Sequence, residues 1–414
     1  MISKPVNKPA LLSMDEALAA LLAEAQPLIE TESLPTLEAA GRVLAEAVRS
    51  TLNVPPMDNT SMDGYALRSA DVPKAGSVLK VAQRIPAGHV GEPLLPGTAA
   101  RIFTGAMVPA GADAVVMQEA TAANGDSVTI NEVPRAGQWI RRAGEDIEAG
   151  AEVLAAGARL SPQACGLAAS VGMANLKVSR RLKVAVFYTG DELAMPGEAL
   201  KPGAIYNSNR FVLRGLIEGL GCALTDFGIV RDTLEETRAV LRQAAQEHDL
   251  IITTGGVSVG EEDHVRPAVE AEGEIRLWQI AVKPGKPLAY GKLRRTEGKS
   301  GMASFIGLPG NPVSSFVTFL LFVRPFILKC QGVKHLDPKA LSLPAHFDWP
   351  KPDRRREFLR ARLNSAGGLD LFPNQSSGVL TSTVWGDGLI DNPSNQAIKR
   401  GDTVRFLPFA ELLV

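Results

Sequence analysis

Residues 253–264 read TTGGVSVGEEDH, and they mix two chemistries. Adjacent glycines reach backbone conformations closed to other residues and let N–H groups close on a phosphate. The acids that follow repel one. The spacing matches neither GxxxxGK[ST] nor GxGxxG. Positive charge for a phosphate must therefore come from elsewhere. Lys283 and Lys286 are one source, in the stretch KPGKP. Their prolines and glycine make a stiff cationic loop suited to phosphate or another tetrahedral oxyanion. A divalent cation held by Asp263, with Asp191 or Glu192, is the other. Mg²⁺ suits that role, because it favours one or two carboxylates plus substrate phosphates. A solvated turn, or for Asp263 an acid at a helix N-terminus, is the plain structural alternative.

Two more loops of this kind occur: TGDE at 189–192 and LPGNP at 308–312. A helix begins at Pro312, where a helix N-terminus can face an anion and Ser314 and Ser315 can add donors. Each loop follows an apolar run with strand character. The runs LKVAVFYTG, ALTDFGIV, DLIITTGG, IRLWQIAV and SFIGLPG alternate with the helical patterns NRFVLRGLIEGLG, LEETRAVLRQAAQEH and VRPAVEAEG. Strand–helix alternation predicts a mostly parallel sheet covered on both faces, with ligands beyond its carboxyl edge. All four loops would then meet there.

Outside residues 181–330 the texture changes. Ser13 and Glu16 form a capping box before a helix, Thr233 and Glu236 another. A helix is expected over 37–48, and a third begins at Ser161-Pro162. From about residue 53 to 150, short β-branched runs with Pro/Gly punctuation predict a β-rich module. It carries the polar segments PPMDNTSMDGYALR, with Asp58 and Asp63, FTGAMVPAGADAVV and RRAGEDI. After about residue 334 short strands return, in a small C-terminal β-domain.

The 414 residues are 45% apolar with net charge −1. That leaves no electrostatic footprint for nucleic acid or an anionic membrane. Three scattered cysteines form no CxxC and five histidines no HExxH, so the chain reads as a cytoplasmic protein. No signal peptide is read at the start. The run VSSFVTFLLFVRPFILKC at 313–330 is interrupted by Arg324-Pro325 and is expected as a buried core helix.

Taken together, DNTSMDGYA, RIFTGAMVPAGADAVV, RRAGEDI, TGDEL, YNSN, TTGGVSVGEEDH, KPGKP and GLPGNPVS occur in the order of one family. The chain resembles the molybdopterin molybdenumtransferases (MoeA family), to which the gephyrin C-terminal E domain is related. The likeness covers about residues 13–410, and the order of eight motifs makes it specific. It implies an α/β multidomain fold with a MogA-like parallel α/β sandwich domain. A β-rich second domain, a linking α/β domain and a small C-terminal β-barrel-like domain complete it. The implied division is 13–30 for an N-terminal helix packed on the α/β domain, 31–49 with 150–180 for an elongated linking and dimerisation domain, 50–149, 181–330 and 331–414.

The implied reaction inserts molybdate into adenylylated molybdopterin, releases AMP and involves Mg²⁺. The implied assembly is a homodimer whose site forms between subunits. It would bring Asp63, Thr104 and Asp146 to a cleft with Glu192, Asp232 and Asp263. Asp263 and Glu192 would hold the metal. Gly255, Gly256, Ser258, Gly260, Ser208, Asn209, Lys283, Lys286, Pro309, Pro312 and Ser314 would bind substrate. Contact with a MogA-like adenylyltransferase and with molybdoenzyme-maturation proteins is also implied. Rival readings are the adenylyltransferase step itself and a gephyrin-like scaffold for partner peptides.

Overall fold

In the computed structural model, which describes residues 11–256, 264–295 and 301–413, the strand Lys183–Thr189 is buried at every position after Lys183. Its unbroken apolarity follows from having two covered faces. Val184, Val186 and Tyr188 pack with Leu213, Leu216 and Ile217 of the helix Ser208–Gly219. Ala185 and Phe187 turn the other way, toward Leu241 and Ala244 of the helix Leu234–Glu247 and Ala268 of Val265–Glu272.

Six strands make this sheet, in the order Ala223–Val230, Lys183–Thr189, Leu250–Thr254, Met302–Leu308, Pro287–Arg294, Gly273–Gln279. The first four are parallel. Pro287–Arg294, which the sequence reading missed, is antiparallel to both neighbours. Gly273–Gln279 therefore points the same way as the first four. The sheet is mixed, yet the described parts of the glycine- and proline-marked loops reach one edge.

The helical run Pro312–Cys330 lies in the core, with its most apolar stretch 94% buried. A π turn over Phe319–Val323 precedes Arg324 and Pro325. It accommodates a proline that would break an α-helical ladder. Ser13 and Glu16 form the reciprocal capping box before Met14–Glu24, and Ser161 caps Pro162–Ser170. Thr233 caps Leu234–Glu247 through Glu236 N alone.

Residues 37–48 are not the expected helix. A 3-10 turn, Thr36–Glu38, is followed by Gly41 at φ 80°, bridges at Val43 and Leu44, and the strand Val48–Arg49. Val43 bridges Arg159 and Leu44 bridges Val178, so this segment takes its backbone bonds from extended partners on both sides. Ala39, Leu44 and Val48 still reach a core, shared with Ala168, Leu176 and Val178. The apolar spacing was real; the left-handed glycine and the waiting strands decided its geometry. Beside it, Thr31–Pro35 pairs antiparallel with Asn175–Ser179.

The β-rich module holds a six-stranded sheet, in the order Ala114–Met117, Gly64–Leu67, Thr98–Ile102, Ser77–Ile85, Ser127–Ile130, Thr121–Asn124. At the C-terminal end, Arg356–Leu363, Gly388–Asn392, Thr403–Pro408 and Leu341–Pro344 pair in sequence, and Leu369–Leu371 pairs with Arg356–Leu363. A bridge from Ala345 to Leu369 closes the ring, which makes it barrel-like. A short strand from KPGKP, Val282–Lys283, joins Arg356 and Glu357 in parallel. That junction ties the central sheet to the barrel.

Candidate functional site

A cavity of 520 Å³ opens between the carboxyl edge of the central sheet and the C-terminal barrel. Gly255, Gly256, Lys283, Lys286, Pro309 and Ser314 line it, all expected from sequence. Arg355, Gln375, Ser376 and Ser377 line it too, and were missed. Arg355 sits in the charged run KPDRRRE, which carries no ligand motif. Only the pairing of Val282–Lys283 with Arg356–Glu357 carries it to the cavity. Pro312 opens the adjoining helix without lining the cavity.

The glycines are geometrically required. Gly255 and Gly256 have φ of 87° and 62°. A Cβ on Gly256 would stand 2.5 Å from Val265 Cγ2, and one on Gly255 3.0 Å from the Thr189 carbonyl oxygen. Asn209 Nδ2 donates to the Gly310 carbonyl at 2.8 Å and sits 3.4 Å from Thr254 Oγ1. The Asn209 amide thus spans two loops of the edge. Ser208 is the first residue of its helix, capped by Asn207, and neither Ser208 nor Asn209 lines the cavity.

The cationic wall is built on carboxylates. Lys283 Nζ lies 3.2 Å from Glu357 Oε1 and 3.4 Å from Asp353 Oδ2. Glu357 is fully buried and also accepts from Trp349 Nε1 at 2.8 Å and Asn392 Nδ2 at 3.3 Å. Arg355 forks onto Asp353 at 3.0 and 2.9 Å. The fork holds the Asp353 carboxyl far below its usual range and raises the Arg355 guanidinium in return. Gly285, at φ 112°, brings the loop against the buried helix; a Cβ there would lie 2.3 Å from Thr318 Oγ1. Lys286 is exposed and has no ion-pair partner among the described residues. Lys283, Lys286 and Arg355 against Asp353 and Glu357 leave one net positive charge, with hydroxyls around it. Such a site suits a tetrahedral oxyanion or a pyrophosphate.

None of the expected acids among the described residues lines this cavity. Asp63 accepts from Thr104 N and Oγ1, both at 2.7 Å. The Thr104 amide, then its hydroxyl, holds the Asp63 carboxyl below its ordinary value. Asp146 donates its amide to the Val54 carbonyl at 3.0 Å, in the loop whose Arg142 pairs with Asp58. Asp63, Thr104 and Asp146 belong to the β-rich module and do not line the cavity of their own chain. Glu192, exposed, follows Lys183–Thr189 at the same edge, and Asp232 follows Ala223–Val230. Ser258, Gly260 and Asp263 lie outside the described residues. Among the described residues no group of three or more histidines, cysteines and acids could hold a metal.

Comparison with known proteins gives three matching family models. They are the MoeA N-terminal region (domain I and II) over residues 12–172, a probable molybdopterin binding domain over 185–329, and the MoeA C-terminal region (domain IV) over 342–409. A molybdopterin molybdenumtransferase of Haemophilus influenzae is 40% identical over 97% of this chain and 100% of that one. Molybdopterin molybdenumtransferase 2 of Mycobacterium tuberculosis is 36% identical, over 88% of this chain and 91% of its own length. The crystal structure of a molybdopterin biosynthesis moeA protein from Pyrococcus horikoshii superposes with a TM-score of 0.82 at 29% identity, covering 96% of this chain and 100% of that one.

Proposed function

This chain belongs to the molybdopterin molybdenumtransferase (MoeA) family and is an enzyme of molybdenum cofactor biosynthesis, and on that premise we propose that it inserts molybdate into adenylylated molybdopterin with release of AMP. The observation that carries this reading is the cavity where Gly255 and Gly256 face Lys283, Lys286 and Arg355. Left-handed glycines leave room for phosphate oxygens against the backbone. The lysines and Arg355 hold molybdate or the pyrophosphate bridge, and Ser314 donates to the same anion. Water, or a molybdate oxygen whose P–O–Mo ester is then hydrolysed, attacks a phosphorus of the phosphoanhydride; the P–O bond to the bridging oxygen breaks, and AMP separates from the pterin phosphate.

Mg²⁺ fits this edge by donor chemistry. The Asp191 and Glu192 side chains are exposed there, and their carboxylates have no hydrogen-bond or ion-pair partner among the described residues. Two hard carboxylate donors beside a phosphate site suit an ion that takes few protein ligands. Glu192, with Asp263, would hold it, and the bound ion would polarise the phosphoanhydride.

The site is completed, in this reading, by a second copy of the chain. Asp63, Thr104 and Asp146 would arrive from the partner, orienting the attacking oxygen or taking its proton. Their absence from the cavity of their own chain supports this.

The test mixes purified protein with adenylylated molybdopterin, Mg²⁺ and molybdate and follows AMP. Molybdate-dependent release is expected. Release that ignores molybdate sinks the transferase reading, and synthesis of adenylylated molybdopterin from ATP would replace it with the adenylyltransferase.

A further inference from the structure

Arg360 heads the fully buried side chains by volume. Its guanidinium meets only neutral oxygens. Nε donates to Ser382 Oγ at 3.1 Å, Nη1 to the Phe358 carbonyl at 3.1 Å and Nη2 to the Ser376 carbonyl at 3.4 Å. No carboxylate pairs with it among the described residues, and burial pulls the guanidinium down to about 10. A buried charge without a counter-ion is expensive, and an apolar residue of similar volume would often stabilise the fold more. Packing alone does not explain an arginine here.

Its position does. The Arg360 backbone exchanges two bonds with the Gln375 side chain: its N–H donates to Oε1 at 2.9 Å and its carbonyl accepts from Nε2 at 3.0 Å. Gln375, Ser376 and Ser377 form one wall of the cavity. Ser377 in turn accepts from Val313 N at 3.0 Å, in the first turn of the helix behind LPGNP. Arg360 therefore stands directly behind this wall and holds Ser376 by its carbonyl.

We infer that Arg360 is a positioning residue of the oxyanion cavity, a buried cation that braces the Gln375–Ser377 wall and is balanced by a dianion bound in the cavity. The inference rests on the reading of the cavity as an oxyanion site. The lining cations and the two carboxylates paired with them leave one net positive charge, and Arg360 raises it to two. A tetrahedral dianion matches that count; a monoanion of the same shape leaves a charge unpaired. The field of Arg360 crosses protein rather than water, so it is weakly screened.

Titration calorimetry of the full-length protein with molybdate and with perrhenate, without pterin, tests this. Perrhenate is a tetrahedral monoanion of similar size. Wild type is expected to bind molybdate about tenfold or more tightly than perrhenate. Arg360→Gln should weaken molybdate by a similar factor and erase most of that preference, while Arg360→Lys retains more of both. In turnover, Arg360→Gln should raise half-saturating molybdate and leave half-saturating adenylylated molybdopterin within about twofold. A folded Arg360→Gln protein with unchanged molybdate binding overturns the inference and spares the cavity reading. Equal wild-type affinity for the two anions overturns it without any variant. A wild type that binds neither anion removes the cavity reading itself.

Discussion

The two lysines of KPGKP look equivalent in sequence and are not. Lys283 is engaged by Asp353 and by the fully buried Glu357. Lys283→Ala leaves that carboxylate short of a partner and should cost about 1–3 kcal/mol of stability, read from denaturant melts. Lys286 has no such tie. Lys286→Ala should leave stability within about 0.5 kcal/mol while raising half-saturating molybdate about tenfold; equal stability losses in both variants would contradict the assignment. At Gly256 a Cβ meets both an unfavourable φ and Val265, so Gly256→Ala should lower stability by about 1–2 kcal/mol. Thermal melts of the variant would show this beside a loss of AMP release. Glycine and lysine were legible because their chemistry is local. Arg355 and Gln375 were not, since nothing near them in the chain points to a ligand.

At the scale of elements, two residues of extended chain matter most. Val282–Lys283 leaves the central sheet and pairs with Arg356–Glu357, so the barrel supplies a wall of the cavity. The Asp353–Arg355 fork next to it is acid-sensitive. Because the native Asp353 carboxyl is depressed, its stabilisation is complete above the unfolded value of roughly 4 and is lost as the pH falls through the lower native value. Asp353→Asn should therefore flatten the fall in stability below about pH 4 relative to wild type; parallel acid curves would argue against the fork. The strand–helix rhythm of 181–330 was readable because each strand buries two faces. The segment 37–48 was misread because its apolar spacing suits a helix, while Gly41 and partners near residues 159 and 178 pull it into extended pairing.

For the whole molecule, the cavity and the Asp63–Thr104 pair sit on different modules of one chain. A cross-subunit site predicts complementation. Asp63→Ala and Lys286→Ala proteins, each impaired alone, should regain about a quarter of wild-type activity after subunits are mixed and exchanged. No recovery in mixtures that demonstrably exchange would place both residues in one subunit's site. The apolar run that could imitate a membrane span is instead the buried centre around which the sheet, the N-terminal helix and the barrel pack.

Sequence alone determined the rhythm of strands and helices, the glycine and proline loops, the cations of KPGKP and, through the order of eight motifs, the family. Each is written in local spacing or short-range conformational demand, which a linear chain displays directly. Tertiary structure decided which of these residues share a cavity, that Lys283 is tied to buried carboxylates, and that Arg360 stands uncompensated behind the wall. Those facts depend on contacts between segments well separated in the chain, 15 residues for Arg360 with Gln375 and 74 for Lys283 with Glu357, or on burial. Neither leaves a periodic trace in the chain.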